Sequence, residues 1–338
     1  MSERTCLEDL RARREIFLER ARYLEEVRSF FRSSGFLEVD APLLVESPGI
    51  EPHLDAFAVK GSVTGTVYHL PTSPEFYLKK LLASGVESCF SLGPAFRDER
   101  ASKLHAPEFL MLEWYRSGVE CGDLVPDCAD LLNRLAGVFT ENGQITINGS
   151  PCDLASGVDS LSLSQVFRDA VGSDWLDYQS ISDWREAALS NGAYDPALWT
   201  ENDCFSFLMV SKVEPALRSY GRPVLLFGYP AFQAALARTD GGDERVSERF
   251  ELFIGGVEIA NAYTELTDGD ELRKRFIAYG AERETEGKEP HPADWEFFNA
   301  VDELRPCAGI ALGADRLLAL LLGKSLAAVR HGTQKSPR

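Results

Sequence analysis

The side chains best suited to bind a nucleotide are concentrated in residues 90–116 of this chain. An apolar run ends at Phe96 and is followed directly by Arg97, whose planar guanidinium group matches phosphate oxygens. A second extended run, residues 108–115, is predicted to be a strand in which alternate side chains share a face. One of its two faces carries Phe109, Met111, Glu113 and Tyr115. The segment therefore predicts an aromatic ring, a carboxylate and a phenol beside a loop that carries an arginine.

Two apolar runs flank Gly255-Gly256, and this arrangement predicts a two-residue β-hairpin. In the regular register of such a turn, Glu251 lies opposite Ala260 and shares a face with Glu258. The backbones of the two glutamates are then about 7–8 Å apart, so their carboxylates can close on one hard cation. Oxygen ligands that are completed by phosphate groups favour Mg²⁺. The hairpin therefore predicts a magnesium site, although a charged sheet surface is the commoner reason for such a pair.

A third segment, residues 307–323, consists of a strand of small residues that breaks at Gly313 and opens an apolar helix. Arg316 lies at the start of this helix, where the helix dipole disfavours a cation. A bound anion or an aromatic partner would compensate that cost, and the alternative is a side chain that extends into water. Together, the three segments predict a nucleotide-binding site.

The three segments together resemble the catalytic core of the class II aminoacyl-tRNA synthetases, most closely the lysyl branch. Pro42 in the phrase FLEVDAPLL resembles the first motif of that superfamily, residues 96–115 the second, and residues 309–318 the third. The resemblance extends from about Arg13 to Val329 and so covers nearly the whole chain. It implies an α+β fold built on a mixed, mainly antiparallel β-sheet that is flanked by helices.

Within this superfamily the chain is more similar to the stand-alone elongation factor P lysine ligases, which attach β-lysine to a lysine of a protein, than to the enzymes that charge tRNA. The phrases at residues 72–82, 105–116 and 309–317 carry this similarity. The catalytic core also starts close to Met1, whereas lysyl-tRNA synthetases have a sizeable anticodon-binding barrel before it. The resemblance implies ATP-dependent formation of a β-lysyl or lysyl adenylate and its transfer to elongation factor P.

Two other functions are compatible with the same motifs. One is a truncated synthetase that activates α-lysine and charges tRNA or a small acceptor. The other is a non-catalytic paralogue that senses lysine or an adenylate. A sensor does not need metal-binding carboxylates, yet this chain has both Glu251 and Glu258. ATP–pyrophosphate exchange separates an enzyme from a sensor.

For ATP, the resemblance implies two catalytic arginines, Arg97 and Arg316. Arg97 contacts the α-phosphate and the substrate carboxylate, while Arg316 covers the face of the adenine opposite to Phe109. Glu99 and His105 hold the adenine edge and the outer phosphates, respectively. The complete implied ATP site consists of Arg97, Asp98, Glu99, His105, Phe109, Glu258, Ile259, Gly313 and Arg316. Magnesium completes the site at the two hairpin glutamates.

For the amino acid, the resemblance implies a pocket formed by Ser73, Pro74, Glu75, Glu113, Tyr115, Asn261, Glu265 and Ala311. Ser73 and Glu75 lie at the reactive end of the substrate. Tyr115 and Glu265 suit the distal ammonium, because a buried ammonium group requires a carboxylate partner to offset its desolvation. Ala311 and Ser73 stand where the β-lysine ligases differ from lysyl-tRNA synthetases. These two residues therefore predict a preference for β-lysine over α-lysine.

Two positions depart from the family pattern. Ala106 stands where the second motif usually has asparagine, which removes a side-chain contact to ATP worth about 1 kcal/mol. Asp98 stands where asparagine is common, which adds a negative charge near the phosphates. Neither departure removes a residue that the mechanism requires.

The composition agrees with a protein acceptor rather than tRNA. The chain has 338 residues, with 35 Lys plus Arg against 53 Asp plus Glu, a net charge of −18 and a pI of about 4.8. Proteins that bind tRNA through many phosphates usually present a basic surface. Seven cysteines, an odd number without a CxxC pair, predict a reduced cytoplasmic protein with neither a disulfide framework nor a zinc site. The charged N-terminus and the lack of a long apolar run predict neither a signal peptide nor a membrane span.

Coarse patterns predict the elements around the site. Residues 17–31 have helical spacing, and Gly35 ends that helix. Ser73 is predicted to cap a second helix, with Pro74 at its first position. Extended segments are predicted at residues 36–39, 59–70, 224–227 and 233–237.

These elements predict a single catalytic domain of residues 1–330, with a mainly helical insertion at about 121–220 and a flexible tail at 331–338. Class II cores usually pair through the first motif. A homodimer is therefore expected, with the helix that ends at Gly35 and the strand before Pro42 at the interface.

Overall fold

The computed structural model describes residues 6–234 and 236–330. The strands are β1 (Leu37–Glu38), β2 (Ala58–Lys60), β3 (Val67–His69), β4 (Ser88–Phe96), β5 (Glu108–Ser117), β6 (Gln144–Ile147), β7 (Ser150–Asp153), β8 (Asp159–Ser162), β9 (Val224–Pro230), β10 (Val246–Ile254), β11 (Val257–Thr264) and β12 (Cys307–Gly313). The helices are α1 (Cys6–Ala12), α2 (Arg14–Ser33), α3 (Glu75–Ala83), α4 (Val125–Phe139), α5 (Leu163–Val171), α6 (Ile181–Ser190), α7 (Glu201–Leu208), α8 (Glu214–Leu217), α9 (Gly269–Thr285), α10 (Trp295–Val301), α11 (Ala314–Leu321) and α12 (Leu326–Val329). The predicted tail, residues 331–338, lies outside the described residues.

Eight strands form one sheet in the order β1-β4-β5-β12-β11-β10-β9-β8. The six central strands are antiparallel, and parallel pairs occur at both edges, β1 with β4 and β8 with β9. Two further hairpins, β2-β3 and β6-β7, stand apart from this sheet. The predicted α+β fold with a mixed, mainly antiparallel sheet is therefore confirmed.

The central strand β5 separates the protein core from the site. Leu112 and Trp114 are fully buried on one face, where Trp114 packs against Phe31 of α2 with ring centroids 5.0 Å apart. Phe31 also stacks on Phe90 of β4 at 4.9 Å. Burial of each such side chain stabilises the fold by about 1.5–3 kcal/mol. Because this face is core, the alternate side chains of β5 point to the opposite face, as the strand pattern predicted.

A buried ion pair joins α2 to α11 beneath the site. Arg20 pairs with Asp315, and both side chains are less than a tenth exposed. Asp315 also accepts a hydrogen bond of 2.9 Å from the backbone amide of Leu110 in β5. Removal of one partner would leave a buried charge at a cost of about 3–5 kcal/mol. The contact fixes the start of α11 against β5, and it thereby positions Arg316.

Two local predictions are wrong in detail. The helix predicted to start at Pro74 begins at Glu75, with Pro74 at the capping position, while the Ser73 hydroxyl accepts a 2.9 Å hydrogen bond from the Glu75 backbone amide and donates to Glu113. The described residues of this predicted strand, 233–234 and 236–237, do not form one. Pro230 ends β9, the next residues form a short 3₁₀ turn, and Ala237 makes one isolated bridge to Glu265.

Residues 121–220 contain the predicted helices and two features that the pattern did not indicate. These features are the hairpin β6-β7 and the edge strand β8, which pairs with β9 in the main sheet. The helices of this region enclose a second core that includes Phe167, Trp184 and Phe205, packed against β9. The polar sequence of β8, DSLS, has no strand signature, so only the neighbouring strand explains its conformation.

In the described part of the chain, every helix is too short or too polar to cross a bilayer. Six cysteines are buried free thiols, namely Cys89, Cys121, Cys128, Cys152, Cys204 and Cys307. The side chain of Cys6 lies outside the described residues.

Candidate active site

A cavity of about 990 Å³ lies on the face of the sheet that is opposite to the main core. It is lined by all the residues predicted to bind ATP, the amino acid and the metal, with two exceptions. Asp98 is one of them, and its backbone amide donates to the carbonyl of Asp55 at 2.8 Å. Pro74 is the other, and it lines a separate cavity beside Pro42. The cavity is within the size range of small-molecule sites.

Glu113 is the most enclosed carboxylate of the amino-acid end, with only 1% of the residue exposed. It accepts a hydrogen bond of 2.6 Å from the Ser73 hydroxyl and one of 3.1 Å from the Tyr115 hydroxyl. Burial, reinforced by the charge of Glu75, raises the pKa of Glu113 to about 8. A cationic ligand would therefore bind with release of a proton from this site near neutral pH.

Glu265 closes the same end of the cavity and is 2% exposed. Burial is the main cause that raises its pKa to about 8, with Lys79 acting against it and Glu75 adding to it. Its Oε1 atom lacks a hydrogen-bond partner within the described residues. A buried acceptor without a donor is costly, so this oxygen is suited to receive a donor from a ligand.

Strand β12 crosses the floor of this end at Gly309 and Ala311. A Cβ atom at Gly309 would collide with the Tyr115 ring and lie 2.7 Å from Glu265 Oε1, so only glycine fits there. Ala311 is paired with Glu113 on one side and with Asn261 on the other. Its methyl group therefore lies between two residues that were predicted to bind the amino acid.

Lys79 was missed by the sequence analysis, although it is buried next to the predicted carboxylates. Its Nζ atom donates to Glu75 at 2.5 Å and forms an ion pair with Glu265. Burial acts to lower the pKa of Lys79, but Glu265 and Glu75 hold it above its usual range. The spacing of four residues between Glu75 and Lys79 on one helix was the available signal.

The nucleotide end is formed by the loop after β4 and by the start of α11. The Arg97 guanidinium lies over the Phe109 ring, 5.2 Å from its centroid. Glu99 and His105 are 3.1 Å apart, between Oε2 and Nδ1. Arg316 donates 3.0 Å hydrogen bonds to the carbonyls of Leu104 and Glu258.

The position of Arg316 at a helix start is explained by these two acceptors. They offset the unfavourable dipole, and they turn the guanidinium towards the cavity rather than into water. Ala106, where the family pattern has asparagine, is buried at 2% exposure, so a small apolar side chain fits its surroundings.

The hairpin of β10 and β11 forms as predicted, but the predicted register is wrong beyond its first two pairs. A bulge between Leu252 and Phe253 leaves Ile259 as an extra residue, so Glu251 pairs with Asn261 and not with Ala260. Glu251 and Glu258 still line the same cavity. A two-residue turn pattern fixes the pairs next to the turn and does not encode a bulge further along the strands.

The surroundings of the two glutamates differ. The Glu251 side chain is 13% exposed, accepts a 2.6 Å hydrogen bond from Tyr229 and is ion-paired with Arg249. Burial raises its pKa to about 7, with Arg249 opposing this shift and Glu258 reinforcing it. The Glu258 side chain is 44% exposed and lies 3.9 Å from the Arg316 guanidinium.

The two glutamates suit a magnesium ion that also binds phosphate oxygens. Across residues 6–234 and 236–330, no group of three or more His, Cys, Asp or Glu side chains converges into a metal cage. Mg²⁺ commonly takes one or two carboxylates and completes its shell with water and substrate phosphates. The residues present therefore fit a metal that arrives with a nucleotide.

Arg249 is a second residue that the sequence analysis missed. Its guanidinium lies 4.4 Å from the centroid of the Tyr229 ring and 5.4 Å from that of Tyr263. It lines the cavity and fixes one oxygen of Glu251. An arginine two residues before a predicted metal ligand, on the same strand face, was the signal that could have found it.

Comparison with known proteins covers nearly all of the chain. Residues 6–330 match the family model described as tRNA synthetases class II (D, K and N). A protein of Yersinia enterocolitica named elongation factor P–(R)-beta-lysine ligase is 37% identical over 318 residues, with 90% of each chain covered. Proteins of the same name from Histophilus somni and Avibacterium paragallinarum are each 35% identical, over 314 and 318 residues, and the matches cover at least 90% of both chains.

The family matches agree with the mainly antiparallel sheet and with the cavity on the face of that sheet opposite to the main core. The chain belongs to the class II (D, K and N) tRNA synthetase family, in the branch of the elongation factor P–(R)-β-lysine ligases.

Proposed function

We propose that this protein uses ATP to activate (R)-β-lysine, or lysine, as an adenylate and transfers it to a lysine side chain of elongation factor P. The observation that carries the proposal is a single cavity with two chemically distinct ends. One end has buried carboxylates, Glu75, Glu113 and Glu265, that suit ammonium groups. The other has Arg97 and Arg316 beside an aromatic ring, which suits a nucleotide. Membership of a synthetase family implies the use of ATP.

In the first step, a carboxylate oxygen of the amino acid attacks the α-phosphorus of ATP, and the bond to pyrophosphate breaks. No proton has to move. Arg97 would hold the carboxylate against the α-phosphate, which converts an encounter into a near-unimolecular step. The guanidinium also stabilises the charge that develops on the phosphoryl oxygens.

In the second step, the neutral acceptor ε-amine attacks the carbonyl carbon of the adenylate and the bond to AMP breaks. An amide bond forms, and the proton that the nitrogen loses passes to solvent. Because AMP is a good leaving group, the acyl carbonyl is already activated, and the reaction needs no nucleophilic side chain from this protein. The cavity holds the adenylate by its two ends, with the carbonyl between them.

Glu251 and Glu258 would hold magnesium together with phosphate oxygens, and the ion would neutralise charge on the leaving pyrophosphate. Replacement of Glu258 with glutamine should lower the rate of ATP–pyrophosphate exchange by about 100-fold at saturating Mg²⁺. The variant Glu244→Gln, in an exposed loop before β10, is the control and should exchange at the parental rate. Unchanged exchange by Glu258→Gln would remove Glu258 from the metal site.

The preference for the lysine isomer is expected to depend on Ala311. Its methyl group, between Glu113 and Asn261, would crowd the α-amino position of ordinary lysine. We expect β-lysine to have the higher kcat/KM and Ala311→Gly to narrow the ratio by about tenfold, the usual effect of one methyl group.

Steady-state exchange with both isomers measures this ratio. Ala308→Gly, at a core-facing position of the same strand, is the matched control that should lower stability without changing the ratio. Equal use of both isomers by the parental protein and by Ala311→Gly would leave Ala311 with a packing role alone.

The acceptor is proposed to be elongation factor P, because relatives over nine-tenths of the chain carry that name and because the net charge of −18 is unfavourable for tRNA. Incubation of the two proteins with ATP and β-lysine should add the mass of one β-lysyl group to elongation factor P, measured by intact mass spectrometry. If lysine tRNA were charged efficiently while elongation factor P stayed unmodified, the protein would instead be a truncated tRNA-charging synthetase.

We also propose a cytoplasmic homodimer. The buried free thiols suit a reducing compartment. Leu37, Leu43 and Leu44, in and just after β1, are 52%, 43% and 52% exposed, and they provide an apolar surface at the first motif. Sedimentation equilibrium measures the mass, and a monomer at micromolar concentration would refute the pairing.

A further inference from the structure

Lys79 lies behind the amino-acid end of the cavity and is 2% exposed. Among the described residues, the side chains that line the cavity include its partners Glu75 and Glu265 but not Lys79 itself. The lysine is therefore placed to act on a ligand only through these carboxylates.

The contacts of Lys79 connect two elements that are distant in sequence. Glu75 belongs to the first turn of α3, four residues before Lys79. Glu265 follows the end of β11 and is held there by a backbone bond to the carbonyl of Cys307. One ammonium group thus fixes the positions of two carboxylates on opposite sides of the site.

The buried charges at this end can be counted. Glu75, Glu113 and Glu265 supply three carboxylates, and Lys79 supplies one ammonium group. Their sum in the ionised state is −2, since three negative charges and one positive charge are present. Glu51 also acts on Glu75, but it is only half-buried at the side of the cavity. A diamino acid has two ammonium groups, and its carboxylate belongs with Arg97 at the other end.

We propose that Lys79 is a positioning residue that fixes Glu75 and Glu265 and reduces the charge of the site to −2, so that the site accepts a substrate with two ammonium groups. This inference rests on the proposed function. In the bound complex, Lys79 and the two ammonium groups of the substrate would together offset the three carboxylates. Without Lys79, one carboxylate would keep its proton and would not pair with the substrate. The lysine therefore determines how many cationic groups the site can hold.

The test is ATP–pyrophosphate exchange with β-lysine and with lysine, using Lys79→Met, which keeps the length of the side chain and removes its charge. The KM for the amino acid should rise by about 100-fold, as expected when one partner of a buried ion pair is removed. The KM for ATP should change by less than about twofold, because the nucleotide end is untouched. Lys79→Arg, which keeps the charge, should have a kcat/KM for the amino acid of at least a tenth of the parental value. If Lys79 acted through packing alone, keeping the charge would not restore kcat/KM.

Lys80→Met is the matched control. Lys80 follows Lys79 on the same helix but pairs with Asp294 at 2.7 Å and does not line the cavity. Its substitution should leave both KM values unchanged. Equal changes in the KM for ATP and for the amino acid in Lys79→Met would indicate a general structural defect and overturn the inference.

A double-mutant cycle with Glu75→Gln separates charge balance from packing. Lys79→Met/Glu75→Gln has two carboxylates and no lysine, so its net charge is again −2. The rise in the KM for the amino acid that Lys79→Met causes should therefore be about tenfold smaller on the Glu75→Gln background than in the parental protein. If the effects of the two substitutions on the KM for the amino acid were additive, the inference would be overturned.

If Lys79→Met alone fails to fold, the double variant should still fold, because its buried charge is again −2, and its KM for the amino acid should lie within about tenfold of that of Glu75→Gln. A rise of about 100-fold between these two variants would overturn the inference. Absence of exchange by the parental protein with either isomer would refute the proposed function. Normal parental exchange with an unchanged amino-acid KM in Lys79→Met would refute the role of Lys79 alone.

Discussion

Replacement of Glu113 with glutamine should lower kcat/KM for the amino acid in ATP–pyrophosphate exchange by about 10²–10³-fold, equivalent to about 3–4 kcal/mol for one half of a buried ion pair. The effect is large because Glu113 is 1% exposed, so water cannot replace the lost charge. Glutamine retains the shape of the side chain and can still bond to Ser73 and Tyr115, so the fold should persist. The KM for ATP should stay within about twofold, since the two ends of the cavity are separate.

The same substitution should stabilise the free protein at alkaline pH. The pKa of Glu113 is raised from an ordinary value of about 4.5 to about 8, so its stabilising contribution is complete below pH 4.5 and is lost as the pH rises through 8. A glutamine side chain does not titrate, so the melting temperature of the variant relative to the parental protein should be higher at pH 8.5 than at pH 5. Ser73, Tyr115, Glu75 and Lys79 are the groups that face this carboxylate or act on its charge.

Differential scanning calorimetry at the two pH values measures this difference, without ligand. Glu108→Gln, at an exposed position at the start of the same strand, is the control. Its melting temperature relative to the parental protein should be the same at both pH values. A Glu113→Gln variant that lost stability equally at both pH values would contradict a raised pKa. Retention of full exchange activity would contradict the binding of an ammonium group by Glu113.

Arg97→Lys is expected to lower kcat of the exchange reaction by about 10²–10³-fold, with a smaller change in either KM. Lysine keeps the charge but not the planar fork of donors, so it cannot form the oriented bidentate contacts of a guanidinium group. The guanidinium already lies over Phe109, 5.2 Å from the ring centroid, so its plane is oriented before a ligand binds. Lysine would lose this contact as well.

Single-turnover measurements of adenylate formation separate this effect from product release. Arg100→Lys, at an exposed position three residues later in the same loop, is the matched control and should be indistinguishable from the parental protein. An Arg97→Lys variant with an unaltered kcat and only a raised KM for ATP would assign Arg97 to ground-state binding rather than to the chemical step.

The alternation of β5 was predictable from the sequence because the period of a strand is two. Leu112 and Trp114 had to face the core, which left Glu113 and Tyr115 on the other face. The hairpin at Gly255-Gly256 and the helix after Gly313 were predictable for the same kind of reason, since glycine positions mark turns and helix ends locally. The roles of individual residues came from a resemblance to the synthetase family, and they stay predictions until they are measured.

Three features depended on the tertiary structure. The pairing of Glu251 with Asn261 results from a bulge in the hairpin, which the two turn residues do not specify. The polar segment of β8 became a strand because β9 offered it unpaired backbone groups. Lys79 looked like one of two ordinary helix lysines, and only the packing of α3 against the end of β11 brought it between Glu75 and Glu265.

The sequence by itself thus determined which residue types reach the open face of the sheet, because side-chain direction follows from local periodicity. Only the tertiary structure decided how charges from distant segments combine, because burial and electrostatic partners depend on contacts between residues far apart in the chain. The raised pKa of Glu113 and the buried charge of Lys79 belong to this second kind of property. Neither can be derived from the neighbours of these residues in sequence, since each results from desolvation that the assembled fold imposes.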